Sequence, residues 1–171
     1  MIRESIPGET TTVWDSNLIA YWAEYYFSVI HQRSFIMPRG ISPIFYGFPA
    51  AIGAKLGRPD RPCLSVSGDG GFLPTAGELA TIKQYDIPVV ALVYNNSSYG
   101  VLEDYMDSSY GIKGSMALTN PDFVKLARSF GIKAKRARTL GQLKAIFRRD
   151  VTWDEPFLIE FDFAVLTPPW K

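Results

Sequence analysis

The sequence predicts an α/β domain: a doubly wound parallel sheet with helices on both faces. Short apolar runs alternate with amphipathic stretches from end to end of the chain. Strands separated by helices join in parallel through crossovers that cover both faces of the sheet. The run Pro88–Tyr94 is apolar without polar alternation, the pattern of a strand buried on both sides.

The elements follow in order. Thr10–Trp14 is β-rich and stops at Asp15-Ser16-Asn17, a helix-start cluster. Asn17–Phe27 then carries Leu18, Tyr21, Trp22 and Tyr25 at helical spacing. Ser34–Met37 is a short apolar strand and Pro38–Pro43 a Gly/Pro loop. Phe45–Leu56 is an Ala- and Gly-rich helix that ends at Gly57-Arg58-Pro59. Pro62–Ser67 is a strand broken sharply by Gly68-Asp69-Gly70-Gly71. Thr75–Tyr85 is a helix, Pro88–Tyr94 a strand, and Asn95–Gly100 a polar turn. Asn120-Pro121-Asp122 opens a helix through Phe130, closed by Gly131. Ile132–Ala134 is a weak strand, Thr139–Arg149 a helix, and Phe157–Phe163 the last strand. Residues 1–171 read as one domain, with a tail, Leu166–Lys171, expected to lie over the surface or to reach a partner.

Composition narrows the function. Hydrophobic residues make up 47% and charged residues 20% of the 171, which suits a packed globular core and not a disordered chain. The formal net charge is +1, so no strong field recruits nucleic acid or an anionic membrane. The basic run Lys133, Lys135, Arg136, Arg138 reads as a solvated face. The lone cysteine, Cys63, lies in an apolar run and reads as a small buried hydrophobe. No apolar stretch is long enough to span a membrane, and a cytoplasmic location is expected. His31, the only histidine, reads as a surface residue.

Two polar clusters fall where an open parallel sheet binds ligands, beyond the carboxyl ends of its strands. Gly68-Asp69-Gly70-Gly71 follows one strand and Asn95-Asn96-Ser97-Ser98 the next, with one helix between. A right-handed crossover brings both to the same sheet edge. Asp69 offers an anionic oxygen, Asn96 an amide oxygen, and the following turn a backbone carbonyl. Three such donors leave half of an octahedron open for Mg²⁺, which takes oxygens at ~2.0–2.1 Å; phosphate oxygens and water suit the vacancy. The glycines allow backbone N–H groups to approach a phosphate, and a helix starting shortly after Gly71 would add its positive end. Without a bridging cation a diphosphate would repel Asp69 by several kcal/mol at an effective dielectric of about 20. Taken singly, each cluster is an ordinary turn; the interval between them gives the pair its specificity.

That interval resembles the thiamine-diphosphate signature, which opens with Gly-Asp-Gly and closes with Asn-Asn. Tyr46-Gly47-Phe48-Pro49-Ala50-Ala51-Ile52-Gly53-Ala54-Lys55 is similar to the family's Gly-x-Pro-Ala-Ala-x-Gly-Ala segment. Gly70-Gly71-Phe72 with Glu78-Leu79-Ala80-Thr81 resembles acetolactate synthases, and Ser98-Tyr99-Gly100 resembles the turn of benzoylformate decarboxylases. The likeness covers nearly the whole chain, as the C-terminal third of a longer family member with the thiamine-diphosphate-binding fold.

By position, the resemblance implies that Asp69 and Asn96 bind Mg²⁺ through their side chains and Ser98 through its carbonyl. Gly68, Gly70, Gly71, Tyr99 and Gly100 would line the diphosphate. Ile44 falls where the family places a large aliphatic residue that bends the cofactor, although plain core packing explains it equally well. The backbone of Ser42 would face the aminopyrimidine. The chain departs from the synthases at Arg39-Gly40-Ile41-Ser42-Pro43, where they have a Gly-rich run; Arg39 could meet a substrate carboxylate or simply lie at the surface.

The implied chemistry is acetolactate synthase-like carboligation of pyruvate or decarboxylation of another 2-oxoacid, of the benzoylformate or sulfopyruvate type, with the chain either a fragment of a longer enzyme or one subunit of a split enzyme. A non-catalytic assembly domain is the bland alternative. The Glu that activates the cofactor belongs to a pyrimidine-binding domain of the same or a neighbouring subunit, in a homodimer or homotetramer. Glu78 and Glu103 do not match it, so no catalytic residue is expected in this chain. A single cysteine argues against ferredoxin-linked oxidoreductases, and the lack of Gly-x-Gly-x-x-Gly against a Rossmann dehydrogenase.

Overall fold

A computed structural model describes residues 1–112, 114, 116–162 and 169. Its centre is a six-stranded, all-parallel sheet. The strands are β1 (Thr11–Trp14), β2 (Phe35–Ile36), β3 (Cys63–Gly68), β4 (Val89–Asn95), β5 (Lys133–Ala137) and β6 (Phe157–Asp162). They lie in the order β2-β1-β3-β4-β6-β5. The chain leaves β1 toward β2 on one side and leaves β3 toward β4 on the other. The topology therefore reverses between β1 and β3, which opens a crevice beyond their carboxyl ends.

Side chains alternate across the sheet. Cys63, Val89, Ala91, Val93 and Leu158 face one layer, formed by α3 (Gly47–Gly57), α4 (Asp69–Phe72), α5 (Glu78–Gln84) and α7 (Phe123–Ser129). Leu64, Val66, Val90, Leu92 and Ile159 face the other, formed by α1 (Ile2–Ser5), α2 (Leu18–Tyr26) and α8 (Leu140–Arg149). In the first layer Phe72 sits between two rings, 5.0 Å from Phe48 and 5.8 Å from Phe123. In the second, Trp14 meets Phe27 edge-on at 5.2 Å and Phe35 at 5.8 Å. The aromatic content of Trp14–Phe27 is therefore divided: Trp14 is core, while Tyr25 and Tyr26 are exposed.

The doubly wound parallel sheet is as the sequence predicts, with local differences. Helix α3 begins at Gly47 and not at Phe45, because Phe45 holds a left-handed backbone, φ +76°. The Gly-Asp-Gly-Gly break is itself a helical turn, α4, followed by a 3₁₀ turn at Leu73–Thr75. The first helical turn after β3 thus starts at Asp69 and not after Gly71. Strand β5 runs to Ala137, beyond the expected Ala134. A helix, α6 (Gly100–Tyr110), occupies a stretch to which the sequence assigned no element. The last strand is described through Asp162; Phe163 lies outside the described residues, as does the tail Leu166–Lys171 apart from Pro169.

The basic run on and just after β5, one of the sheet's two outer strands, is matched charge by charge. Lys133 pairs with Glu155 at 2.7 Å, Lys135 with Asp150 at 2.6 Å, Arg136 with Glu160 at 2.8 Å and Arg138 with Asp162 at 3.5 Å. These charges also guard an open sheet edge against pairing with another chain. Among the described residues no helix is long and apolar enough to cross a membrane.

Phe72→Ala should leave a cavity between Phe48 and Phe123 and cost about 3–5 kcal/mol, read as a lowered urea midpoint. A loss below about 1 kcal/mol would show that the three-ring contact does not hold this layer together.

Candidate functional site

Three strand ends and one loop converge on a cleft of about 240 Å³. After β1, Asn17 caps α2: its Oδ1 accepts from Ala20 N at 2.9 Å, while its Nδ2 donates to the carbonyls of Asp15 and Val66. Ser16, Asn17, Leu18 and Tyr21 form this wall. After β3 come Gly68, Asp69, Gly70 and Gly71, and after β4 come Asn96, Ser98, Tyr99 and Gly100. The Pro38–Tyr46 loop contributes Ser42 and Ile44; Ile44 is half-buried and belongs to neither core layer. Every residue to which the resemblance assigned a cofactor or Mg²⁺ contact lines this one cleft, and Asp69 and Asn96 share it. Val101, Leu102 and Tyr105 of α6 add apolar lining to the cleft.

Parallel register places the two clusters side by side: Gly68 pairs with Tyr94 at the ends of β3 and β4. Asp69 is only 2% exposed. Burial pushes its carboxyl above the ordinary carboxylate range, against the pull of the Asn120 amide and the backbone N–H groups of Gly70 and Ser97. Among the described residues no Lys, Arg or His forms an ion pair with it. A buried, unpaired carboxylate is costly unless a cation meets it. No cluster of three or more His, Cys, Asp or Glu exists among the described residues, so cation ligands here would have to include amide and backbone oxygens beside Asp69. The turn that presents them is fixed: Ser97 has φ +54°, Tyr99 N donates to Met116 O at 3.0 Å, and Leu118 N donates to Ser97 O at 2.7 Å. Ser98 Oγ is turned aside toward Glu103 at 3.3 Å.

The glycines have protein neighbours. A Cβ on Gly70 would lie 2.3 Å from Tyr99 Cε1, and one on Gly71 would lie 2.6 Å from Asp15 Oδ2. Any larger residue at either position displaces the Tyr99 ring or the Asp15 carboxylate. Asp15, 1% exposed, links both sides of the cleft. Its Oδ1 accepts from Ser16 N at 2.8 Å and its Oδ2 from Phe45 N at 3.2 Å. Backbone N–H groups of Tyr46 and Gly47, at the start of α3, also face it, yet burial dominates and raises its carboxyl. Asp15 thereby holds the left-handed Phe45 and the adjacent Ile44 against Gly71.

The family model for the thiamine pyrophosphate enzyme C-terminal TPP-binding domain matches residues 18–161. The chain belongs to this family. It is 39% identical over 141 residues to a probable acetolactate synthase large subunit of Methanocaldococcus jannaschii, covering 81% of this chain and 24% of that protein. It is 37% identical over 164 residues to a probable 2-ketoarginine decarboxylase of Pseudomonas aeruginosa, covering 95% and 29%. The fold superimposes on the thiamine diphosphate-dependent 4-hydroxybenzoylformate decarboxylase of Rhodococcus jostii RHA1 with a TM-score of 0.87, at 28% identity, covering 96% of this chain and 31% of that one. The chain thus spans about a quarter to a third of the length of these relatives.

In this TPP-binding domain several other residues lie apart from the cleft. Arg39 is exposed and faces Glu24 at 3.3 Å, and His31 is exposed. Cys63 is buried, donates to Ala51 O at 3.4 Å, and has its thiol pushed up to about 12 by burial. The sequence reading missed two contributors. Asp15 appeared only as part of a helix-start cluster, and Asn120, which donates to Asp69 Oδ2 at 2.7 Å, only as a helix opener. Neither has a local sequence signal, since both act through residues tens of positions away.

Because burial raises the Asp15 carboxyl from its ordinary 3.8, the folded chain binds that proton more tightly than the unfolded chain. The resulting stabilisation is full below 3.8 and is lost as pH rises through the folded value. The stability of the unaltered chain relative to Asp15→Ala should therefore fall as pH rises above the ordinary 3.8, measured by urea unfolding at several pH values. A difference that rises with pH would contradict the assignment.

Proposed function

We propose that this chain binds thiamine diphosphate through Mg²⁺ and serves a 2-oxoacid-decarboxylating enzyme, with acetolactate synthase-like carboligation of pyruvate as the leading reading. The observation that carries it is Asp69: a buried carboxylate without an ion-pair partner among the described residues, lining a cleft with Asn96 and Ser98. The donor set fits the group. Asp69 and Asn96 would hold Mg²⁺ through their side chains and Ser98 through its carbonyl, hard oxygens that suit this ion. Gly68, Gly70, Gly71, Tyr99 and Gly100 would border the diphosphate, with Ile44 and Ser42 beside the rings. Bound there, the cofactor would supply an acidic thiazolium carbon and an electron sink for loss of carbon dioxide. This chain's own part would be to anchor the charged tail, contact the rings through Ile44 and exclude water with the apolar side chains of Leu18, Val101, Leu102 and Tyr105.

The activating Glu would come from a pyrimidine-binding domain of the same or a neighbouring subunit, in a cytoplasmic homodimer or homotetramer. Support comes from the rim of the cleft. Ile41, beside Ser42, is 94% exposed, and Phe45, beside Ile44, is also exposed. Apolar side chains at the mouth of a site suit coverage by a second body. A simple 2-oxoacid decarboxylase is the second reading, supported by the fold match to the 4-hydroxybenzoylformate decarboxylase and the 37% identity to the probable 2-ketoarginine decarboxylase.

Titration calorimetry with thiamine diphosphate tests the proposal. Binding should need Mg²⁺ and should be lost in Asp69→Ala by more than the roughly 10–100-fold that an outer-shell change costs. The purified chain alone should consume no pyruvate. Mg²⁺-independent binding, or full retention in Asp69→Ala, would remove the basis for the cation site.

A further inference from the structure

We propose that Asn120 is a positioning residue for Asp69, locked in its working orientation by a closed ring of polar contacts that runs through Asn95, Glu160, Arg136 and Asp122. The proposal rests on the cation-binding reading above. Asn120 stands three residues before the first residue of α7, on a loop from which no described residue lines the cleft. Its Nδ2 uses both hydrogens, one to Asp69 Oδ2 at 2.7 Å and one to Asn95 Oδ1 at 3.0 Å. Its Oδ1 is buried and has no partner among the described residues. Rotating the amide would satisfy nothing: the oxygen would then meet the Asp69 carboxylate and the Asn95 carbonyl, both acceptors only.

Asn95 cannot turn either. Its Nδ2 donates to Glu160 Oε1 at 2.8 Å, and Glu160, 2% exposed, offers only acceptors. Its Oδ1 also receives Ser97 N at 3.1 Å, which ties the same amide to the turn that carries Asn96 and Ser98. The Glu160 charge is met by Arg136, whose Nε and Nη2 reach Oε2 at 2.9 and 2.8 Å. Arg136 Nη2 also lies 3.0 Å from Asp122 Oδ1. Asp122 caps α7 by accepting from Lys125 N at 3.0 Å, and it is two residues from Asn120. The ring is therefore closed: Asp122 fixes the backbone that carries Asn120, while Asn95 fixes its amide.

The consequence falls on the cation. A carboxylate torsion is broad and roughly two-fold, so an unrestrained Asp69 would sample orientations that do not serve Asn96 and Ser98. With Oδ2 held by Asn120, its remaining lone pairs are aimed before any cation arrives. Partners of this kind around metal ligands typically set affinity within about 10–100-fold.

The test is the Mg²⁺ concentration that half-saturates thiamine diphosphate binding, in the unaltered chain, in Asn120→Ala and in Thr139→Ala. Thr139 caps α8, accepting from Gln142 N at 3.2 Å, and serves as a control for lost stability remote from Asp69. Asn120→Ala should raise the Mg²⁺ requirement about 10–100-fold while Thr139→Ala leaves it in place. An unchanged requirement in Asn120→Ala, or an equal rise in both variants, overturns the proposal. If the unaltered chain shows no Mg²⁺-dependent binding, the cofactor reading fails and this one falls with it. Should Asn120→Ala not fold, the side-chain amide of Asn120 in the ¹⁵N-labelled unaltered chain decides: protection from exchange and a shift on adding Mg²⁺ with thiamine diphosphate support the ring, and free exchange overturns it.

Discussion

A carboxylate buried at the end of a central strand, without a cation from the described residues to meet it, is the constraint around which the rest of this domain is arranged. Asp69 reaches its position because β3 ends at Gly68 and the chain coils at once into α4. The register of β3 against β4 then brings the Asn95–Gly100 turn alongside. Neutral and backbone donors satisfy Asp69 without cancelling its charge, since Asn120 and the nearby N–H groups leave a net negative group in a low-dielectric place. Such a group stores free energy that a divalent ion would release. The same burial weakens the metal-free fold, a compromise expected where a site is organised before its ligand arrives.

Three of the six described non-glycine residues with left-handed backbone stand in the loop and turn that border this cleft. Ser42, Phe45 and Ser97 all hold left-handed backbone, at φ +48°, +76° and +54°, a conformation that costs non-glycine residues about 1–3 kcal/mol. Phe45 and Ser97 are each secured by a contact from outside their own segment or turn. Phe45 N is bound by Asp15, Ser97 O receives Leu118 N, and Ser42 lies in the loop that Asp15 anchors. The sheet bears none of this irregularity. Its inner strands are regular and buried on both faces, so they act as a fixed base from which strained loops present Ile44, Asn96 and Ser98.

The strands and the two polar clusters were legible in the sequence because their signals are local. A strand buried on both faces reads as an unbroken apolar run, and Gly-Asp-Gly or Asn-Asn after such a run marks its end. Helix α6 was not legible, because none of its described residues is buried. Its apolar residues Val101, Leu102, Tyr105 and Met106 are too few and too mixed with charge to stand out, and Gly111, at φ +64° in the C-cap, marks its end. The role of Gly70 was legible as a need for glycine but not in its cause: the Tyr99 ring lies where a Cβ would be. Asp15 and Asn120 could not be read at all, for their partners lie 30 and 51 positions away, and only the folded chain brings them together.

The cleft has both polar and apolar lining, and the two ask for different things. The glycine turns and Asp69 suit a charged tail held by a cation, work that this chain's own residues can do. The α6 wall and the exposed Ile41 present apolar surface to water, which is unfavourable unless something covers it. On the proposed reading, holding the cofactor and activating it fall to different bodies. The first depends on Asp69 and the contacts that aim it; the second depends on a carboxylic acid brought to the open side by a partner. Affinity and turnover would then respond to different mutations, with changes in the Asn120 ring felt in Mg²⁺ dependence and changes on the Ile41 rim felt in assembly.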